Sequence, residues 1–377
     1  MTDTESRLRD YLDAKAATVP PNEQGPGLLA DVRRHRPVWP LLATAASVAA
    51  VLALTVTVLT HVGPDKPAPA SNPAARPQGV PFTVIDAKGK VTLYDGDRKV
   101  QRPANIDSIS ARVGDGWVAG YYKEPHANVV ILKADGTYRA IGPEWSDTPV
   151  VSPDGKQIAM VVHEKRGADS GRLAVFDVAS GAEVATVPLP KYQTALSGWN
   201  STGIWINSHD FGPPFIEELR VWRPGTPEAQ QVPISKGTSA VATRPDTATV
   251  AITTDSGKKQ CIQAASLKDG RLEVEREYCD SRVQAAYPVV STDGQRLLHS
   301  LAKVVIDVPT GKTTKLKLQN SIVTWPKPIF EDATHVLVVT SPKGYDFPQQ
   351  LHRCDALTGD CTLLRTEKNK QIVLLQP

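Results

Sequence analysis

The chain has 377 residues, with 31 prolines, 26 glycines and only 2 methionines, a length that allows two or three domains or one large all-β domain. Its 43 basic and 40 acidic residues leave a formal charge of +3, which argues against a nucleic-acid-binding surface, since that needs a concentrated basic stripe. The four cysteines all lie beyond residue 260.

Residues 1–36 form the first segment. Thr2-Asp3-Thr4-Glu5 fits a capping box, with Thr2 as N-cap and Glu5 reaching back. Leu8, Tyr11, Leu12 and Ala16 then share one face, which predicts an amphipathic helix over 3–17, ended by Pro20 and Pro21. A free helix of that length is marginal in water. It is therefore expected either to dock, on a cytoplasmic partner or the membrane surface, or to be a solvated leader.

From Pro37 to Thr60 no residue is charged, and the part from Leu41 to Leu59 lacks Pro and Gly. Such a stretch crosses a hydrocarbon core as a helix, so 37–62 is the expected transmembrane segment. Arg33, Arg34 and Arg36 directly precede it, whereas only Asp65, Lys66 and the more distant Arg76 follow. The positive-inside rule then places the amino terminus in the cytoplasm and the remainder outside. A cleaved signal peptide is the rival reading, because Ala68-Pro69-Ala70 resembles a cleavage site. The apolar run, however, exceeds the usual 7–15 residues of a signal peptide. Residues 63–80 are Pro- and Ala-rich without a hydrophobic period, a semi-extended spacer at roughly 3 Å per residue.

From residue 81 the period changes to two, and no helix is predicted. Strand-like runs such as FTVI, NVVILKA, QIAMVV, RLAVFDV, TGIWINS and HVLVVT alternate with turn clusters. TPVVSPDGKQIAMVV at 148–162 returns as YPVVSTDGQRLLHSL at 287–301, 139 residues later. Between, before and after lie weaker copies, with turns near 115, 154, 202, 246, 293 and 332. Spacings of 39 to 48 suit a four-stranded propeller blade. A second hairpin recurs in each unit with Gly in its turn, as in LAVFDVASGAEVATV and VVIDVPTGKTTKL.

On these residues, SPDGKQIAMVV followed by LAVFDVASGAEV, the sequence resembles the TolB-type, WD-like propeller repeat. Residues 152–183 match well and 291–311 fairly. The resemblance covers roughly 81–377 and implies a fold rather than an activity. The expected fold class is all-β, a β-propeller of four-stranded blades over 81–377. Six units are visible. FTVIDAKGKVTLYDGDRKVQ at 82–101 offers two more strands and QIVLLQ at 371–376 another. Seven blades, one shared between the two ends, are expected, with six as the alternative.

Cys261 and Cys279 flank one such hairpin around Lys268-Asp269-Gly270, and Cys354 and Cys361 flank another around ALTG. Directly opposed residues come close enough to be bridged, so two local disulfides and an oxidising compartment are expected. A zinc site is not, because the pairs are far apart and no His follows at ligand spacing.

The turns inside each hairpin are short. The connections on the opposite rim are longer: KEPHAN at 123–128, HEKRGADSG at 163–171, SHDFGPPFIEE at 208–218 and SPKGYDFPQQ at 341–350. That rim is the expected ligand face, with His126, His163, Glu164, His209, Asp210 and Tyr345 as candidates. Trp145, Trp199 and Trp325 lie at the inner strands, as core wedges or as an aromatic mouth. The acids of SPDG and DG read as turn formers. No nucleophile elbow, HExxH or phosphate loop is present, so no catalytic residue, metal or cofactor is assigned.

The leading expectation is a non-enzymatic, single-pass membrane protein whose extracytoplasmic propeller binds a protein, peptide or cell-wall ligand. The second is a transmembrane signalling protein whose residues 3–17 hold a cytoplasmic partner. In layout alone it resembles membrane-bound anti-sigma regulators of actinobacteria, although it lacks the His and Cys ligands of a zinc anti-sigma domain. The third is an enzyme with its site on the long-loop rim.

Overall fold

A computed structural model describes residues 81–375, apart from 97, 104, 124–125, 145, 164–170, 190–192, 210–215, 256–258, 281–287, 319–321, 324–326 and 343–347. The predicted tail helix with Leu8, Tyr11 and Leu12, the basic cluster Arg33, Arg34 and Arg36, the span 37–62 and the spacer 63–80 lie outside the described residues. Among the described residues no helix is long and apolar enough to cross a membrane.

Those residues form β-strands grouped into seven antiparallel sheets. Each is one blade of a propeller, and in six of them the strands run from the axis outwards in chain order. Blade 1 holds β4 (Ile106–Val113), β5 (Gly116–Lys123), β6 (His126–Lys133) and β7 (Tyr138–Ile141). Blade 2 holds β8 (Ser146–Val151), β9 (Gln157–His163), β10 (Gly171–Asp177) and β11 (Glu183–Pro188). Blades 3 and 4 begin on β12 (Gln193–Asn200) and β16 (Thr238–Thr243), and blade 5 on β20 (Pro288–Val290). Blade 6 has an interrupted inner strand, β24 (Ile322–Val323) and β25 (Ile329–Phe330), followed by β26 (His335–Ser341), β27 (Gln349–Asp355) and β28 (Cys361–Glu367).

The seventh blade joins the two ends of the propeller. Its inner strand is β29 (Lys370–Leu374), which pairs with β1 (Phe82–Asp86), and β2 (Val91–Asp95) and β3 (Arg98–Val100) follow outwards. The amino-terminal segment therefore supplies three strands where the pattern suggests two. Arg98–Val100 is too short to show a period, and its pairing with β2 makes it a strand.

Burial explains why the blades need one another. The buried apolar side chains fall into seven clusters, each bridging two neighbouring blades. Met160 and Phe176 of blade 2 meet Val118 and Ile131 of blade 1, and Leu93 and Leu375 of blade 7 meet Trp117 of blade 1. A sheet buries both faces only when flanked on both sides. This is why strands such as QIAMVVH read as nearly continuous hydrophobic runs. Trp199 is buried between blades 2 and 3, the core role for that residue.

Cys261 lies opposite Cys279 and Cys354 opposite Cys361, and both pairs are disulfide-bonded. Counting outward from the hairpin turns found both pairings. Chain-entropy arguments for sequence separations of 18 and 7 give contributions of roughly 3 and 2 kcal/mol. A Cys261→Ser/Cys279→Ser variant is expected to unfold at lower urea than a Cys354→Ser/Cys361→Ser variant, and both below the wild type. Equal midpoints for all three proteins would contradict the assignment.

Candidate functional site

The two rims of the propeller differ in what holds them. On one rim lie the turns inside each hairpin, and these are closed by their own side chains. Ser152 Oγ donates to Asp154 Oδ1 at 2.7 Å and accepts from the Gln157 amide at 2.9 Å. Ser291, Asp293 and Arg296 repeat the arrangement at 2.6 and 2.9 Å. In the outer turns an aspartate takes the amides of the residues that follow: Asp177 those around Ser180, Asp307 that of Thr310, Asp355 those of Leu357 and Thr358. A glycine at positive φ, Gly181, Gly311 or Gly359, then completes each turn. The acids of this rim are turn formers, as the sequence suggests.

These bonds favour the carboxylate form. Asp177 and Asp355 are held below the usual aspartate value mainly by backbone amides, and Asp154 and Asp307 mainly by the Ser152 and Thr310 hydroxyls. Two histidines, one at the opposite end of its strand and one at mid-strand, shift downward for a different reason, burial. His299, the last residue of β21 (Arg296–His299), accepts the Ala302 amide on Nδ1 at 3.2 Å, so its proton sits on the buried Nε2. His352, within β27, is lowered by burial alone.

Both effects have the same sign. A depressed folded pKa means that the unfolded chain binds the proton first, so stability is complete above the unfolded value and is lost as the pH falls towards the folded one. Acid should therefore weaken the fold in two stages, below about pH 6.5 through the histidines and below about pH 4 through the aspartates. Urea midpoints measured across that range test this. An Asp307→Asn variant should flatten only the lower limb, and a midpoint unchanged between neutral pH and pH 5 would contradict the histidine assignment.

The opposite rim carries the connections between the second and third strands of each blade. His126 opens β6, His163 closes β9 and His209 closes β13 (Gly203–His209), so three successive blades bring a histidine to the same rim. Of these side chains only that of His163 is described, and it is half-buried. Glu164, Asp210 and Tyr345 lie outside the described residues, as do Trp145 and Trp325. KEPHAN is not a long loop. Strands β5 and β6 run through it to Lys123 and from His126, leaving residues 124–125 as the link. The longest such connections belong to blades 2, 3 and 6.

Close to this rim the blade-closing seam is polar. Gln349 Oε1 accepts the Ile372 amide at 2.7 Å, tying blade 6 to blade 7. Arg365 donates to Glu367 at 2.6 Å and to Tyr94 OH at 3.1 Å, and its guanidinium lies 4.2 Å from the Tyr94 ring centroid.

On the inner wall near the turn rim lie two basic residues that the sequence reading passed over. Arg244 follows β16 and donates to the Phe330 carbonyl at 2.7 Å, a contact between blades 4 and 6. Lys327 precedes β25. The one local hint was a proline on each side of Lys327, an unusual pattern within an inner strand. Cys261, Glu277 and Cys279 place ligand atoms within 4.8 Å of one another. The two sulfurs are already spent in the disulfide, so this group does not hold a metal.

No family model matches the chain, and no curated protein matches it. Among solved structures it is similar to prolyl oligopeptidase B from Galerina marginata, with 11% identity, a TM-score of 0.54 and coverage of 77% of this chain and 52% of the other. It is also similar to TolB from Acinetobacter baumannii, with 15% identity, a TM-score of 0.44 and coverage of 76% and 79%. The propeller domain of the trilobed protease from Pyrococcus furiosus gives 15% identity, a TM-score of 0.47 and coverage of 69% and 85%. The chain spans about half the length of the oligopeptidase, and 48% of a similar prolyl endopeptidase. At these identities the likeness is one of fold.

Proposed function

We propose that the protein is a non-enzymatic binding module, held at the membrane by residues 37–62, whose extracytoplasmic propeller takes a protein, peptide or cell-wall ligand on the rim bearing His126, His163 and His209. The observation that carries this reading is the contrast between the rims. One spends its polar side chains on closing its own turns. The other gathers the longest connections and the histidine-bearing strand ends. Loops on a rigid scaffold are where binding residues concentrate. Two disulfides support an oxidising compartment.

The test uses the full chain in membranes. Protease added from outside should degrade the propeller and spare the first 36 residues. Purified cell-wall sacculi should retain the solubilised protein, and His163→Ala with His209→Ala should reduce that retention. A protected propeller, or retention unaltered by both substitutions, overturns the reading.

A second reading, transmembrane signalling, is favoured by the apolar stripe Leu8, Tyr11 and Leu12 on the predicted 3–17 helix. A photo-crosslinker at position 12 that captures one cytoplasmic protein supports it. Capture of lipid alone, or of nothing, removes it.

A further inference from the structure

A cleft of about 250 Å³ opens between blades 5 and 6 on the turn rim, and every residue lining it is described. Blade 5 contributes β22 (Val304–Asp307), β23 (Thr313–Lys315) and the turn between them, and blade 6 the turn that joins β27 to β28. The floor is apolar. Val305 and Ala356 are buried, and beside them Leu357 keeps 51% of its surface exposed. The turn itself does not call for a leucine. Asp355 closes it by taking the Leu357 and Thr358 amides, and Gly359 supplies the positive φ. The matching turns at 177–181 and 307–311 carry Ala179 and Pro309 in that place. Thr314 Oγ1 donates to the Leu357 carbonyl at 3.4 Å, which holds this turn against blade 5.

Two charged groups on the cleft have capacity to spare. Asp307 Oδ1 takes the Thr310 amide at 3.0 Å and the Thr310 hydroxyl, while Oδ2 takes no hydrogen bond among the described residues. The exposed ammonium of Lys312 has no hydrogen-bond or ion-pair partner among them. The two residues stand side by side, since the Asp307 amide donates to the Lys312 carbonyl at 2.9 Å, yet their side chains do not pair. The third charged residue there, Arg296, is already used: Nη1 donates to the Ala333 carbonyl at 2.8 Å and pairs with Asp293 at 3.3 Å. One acceptor and one cation therefore remain beside an apolar floor. An anion alone would meet Asp307, a cation alone would meet Lys312, and an apolar molecule would leave both unanswered.

We propose that this cleft binds an apolar α-amino acid as the free zwitterion, with its ammonium on Asp307, its carboxylate on Lys312 and its side chain against Val305, Ala356 and Leu357. The space is smaller than the roughly 300 Å³ at which sites for drug-sized ligands begin, which suits a molecule of single-residue size. Charge-assisted bonds at both ends orient the α-carbon, and the floor selects the side chain. The site lies on the rim opposite His126, His163 and His209 and does not depend on that rim having a ligand.

The test is equilibrium dialysis of the full-length protein against labelled leucine and, separately, labelled leucinamide, which keeps the ammonium and side chain but lacks the carboxylate. Saturable uptake of one leucine per chain is expected, with leucinamide held about tenfold more weakly or worse. Lys312→Gln and Leu357→Ser should each weaken leucine uptake by a similar factor. Both substitutions alter exposed side chains that close no turn, so the variants remain folded and keep the test decisive. Absence of saturable leucine uptake, equal uptake of leucine and leucinamide, or uptake that either substitution leaves unaltered overturns the inference.

Discussion

A chain ending at Lys368 is expected to lose its cooperative unfolding transition. The deletion removes β29, the inner strand of blade 7, and with it a ladder to β1 that runs from Phe82 opposite Leu374 to Asp86 opposite Lys370. Ile372, Leu374 and Leu375 are all buried. At about 1.5–3 kcal/mol for each large apolar side chain, their loss alone amounts to roughly 5–9 kcal/mol. That is comparable with the whole stability of a typical domain, about 5–15 kcal/mol. The deletion also strips the inner edge of β1 and leaves the seam between blades 6 and 7 without the Gln349 bond to Ile372. Urea titration followed by tryptophan fluorescence reads the outcome. A sharp transition at the wild-type midpoint would show that β29 does not close the ring.

The second large effect has the opposite sign. Lys327→Met is expected to stabilise the protein at neutral pH. Burial, with the repulsion of Arg244 added, pushes the Lys327 ammonium down to about 8. The unfolded chain holds that proton more tightly than the folded one, so the wild type carries a penalty that is complete below about pH 8 and fades towards the ordinary lysine value near 10.4. Replacing a poorly solvated charge by a packed apolar side chain of similar length gains about 1–3 kcal/mol. The gain should shrink as the pH rises through that window. Chemical denaturation of both proteins from pH 7 to pH 10 checks the slope. A variant less stable than the wild type at pH 7 would mean that the ammonium is satisfied by the protein itself.

Short-range contacts were legible in the sequence and long-range ones were not. Ser-Pro-Asp-Gly at 152–155 and Asp-x-x-Ser-Gly at 177–181 could be read as turns because every bond that closes them spans five residues or fewer. The opposed cysteines were found by counting outward from a turn, since a hairpin fixes its register locally. The repeating four-stranded unit was legible once the phrase at 148–162 was seen to return at 287–301, whereas the choice of seven blades over six waited on the pairing of β29 with β1.

The sequence by itself therefore determined most of the strands and their hairpins, the two disulfides and the repeating unit. Only the tertiary structure decided how the ring closes and what its inner wall contains. Arg98–Val100 is a strand because β2 offers it an edge, and KEPHAN is nearly all strand because β5 and β6 extend to meet. Arg244 and Phe330 are 86 residues apart in the chain and 2.7 Å apart across blade 5. The charge that Lys327 faces was invisible for the same reason. Short-range turn chemistry is written in adjacent residues, whereas the environment of an inner strand is set by whichever blades the closed ring brings beside it.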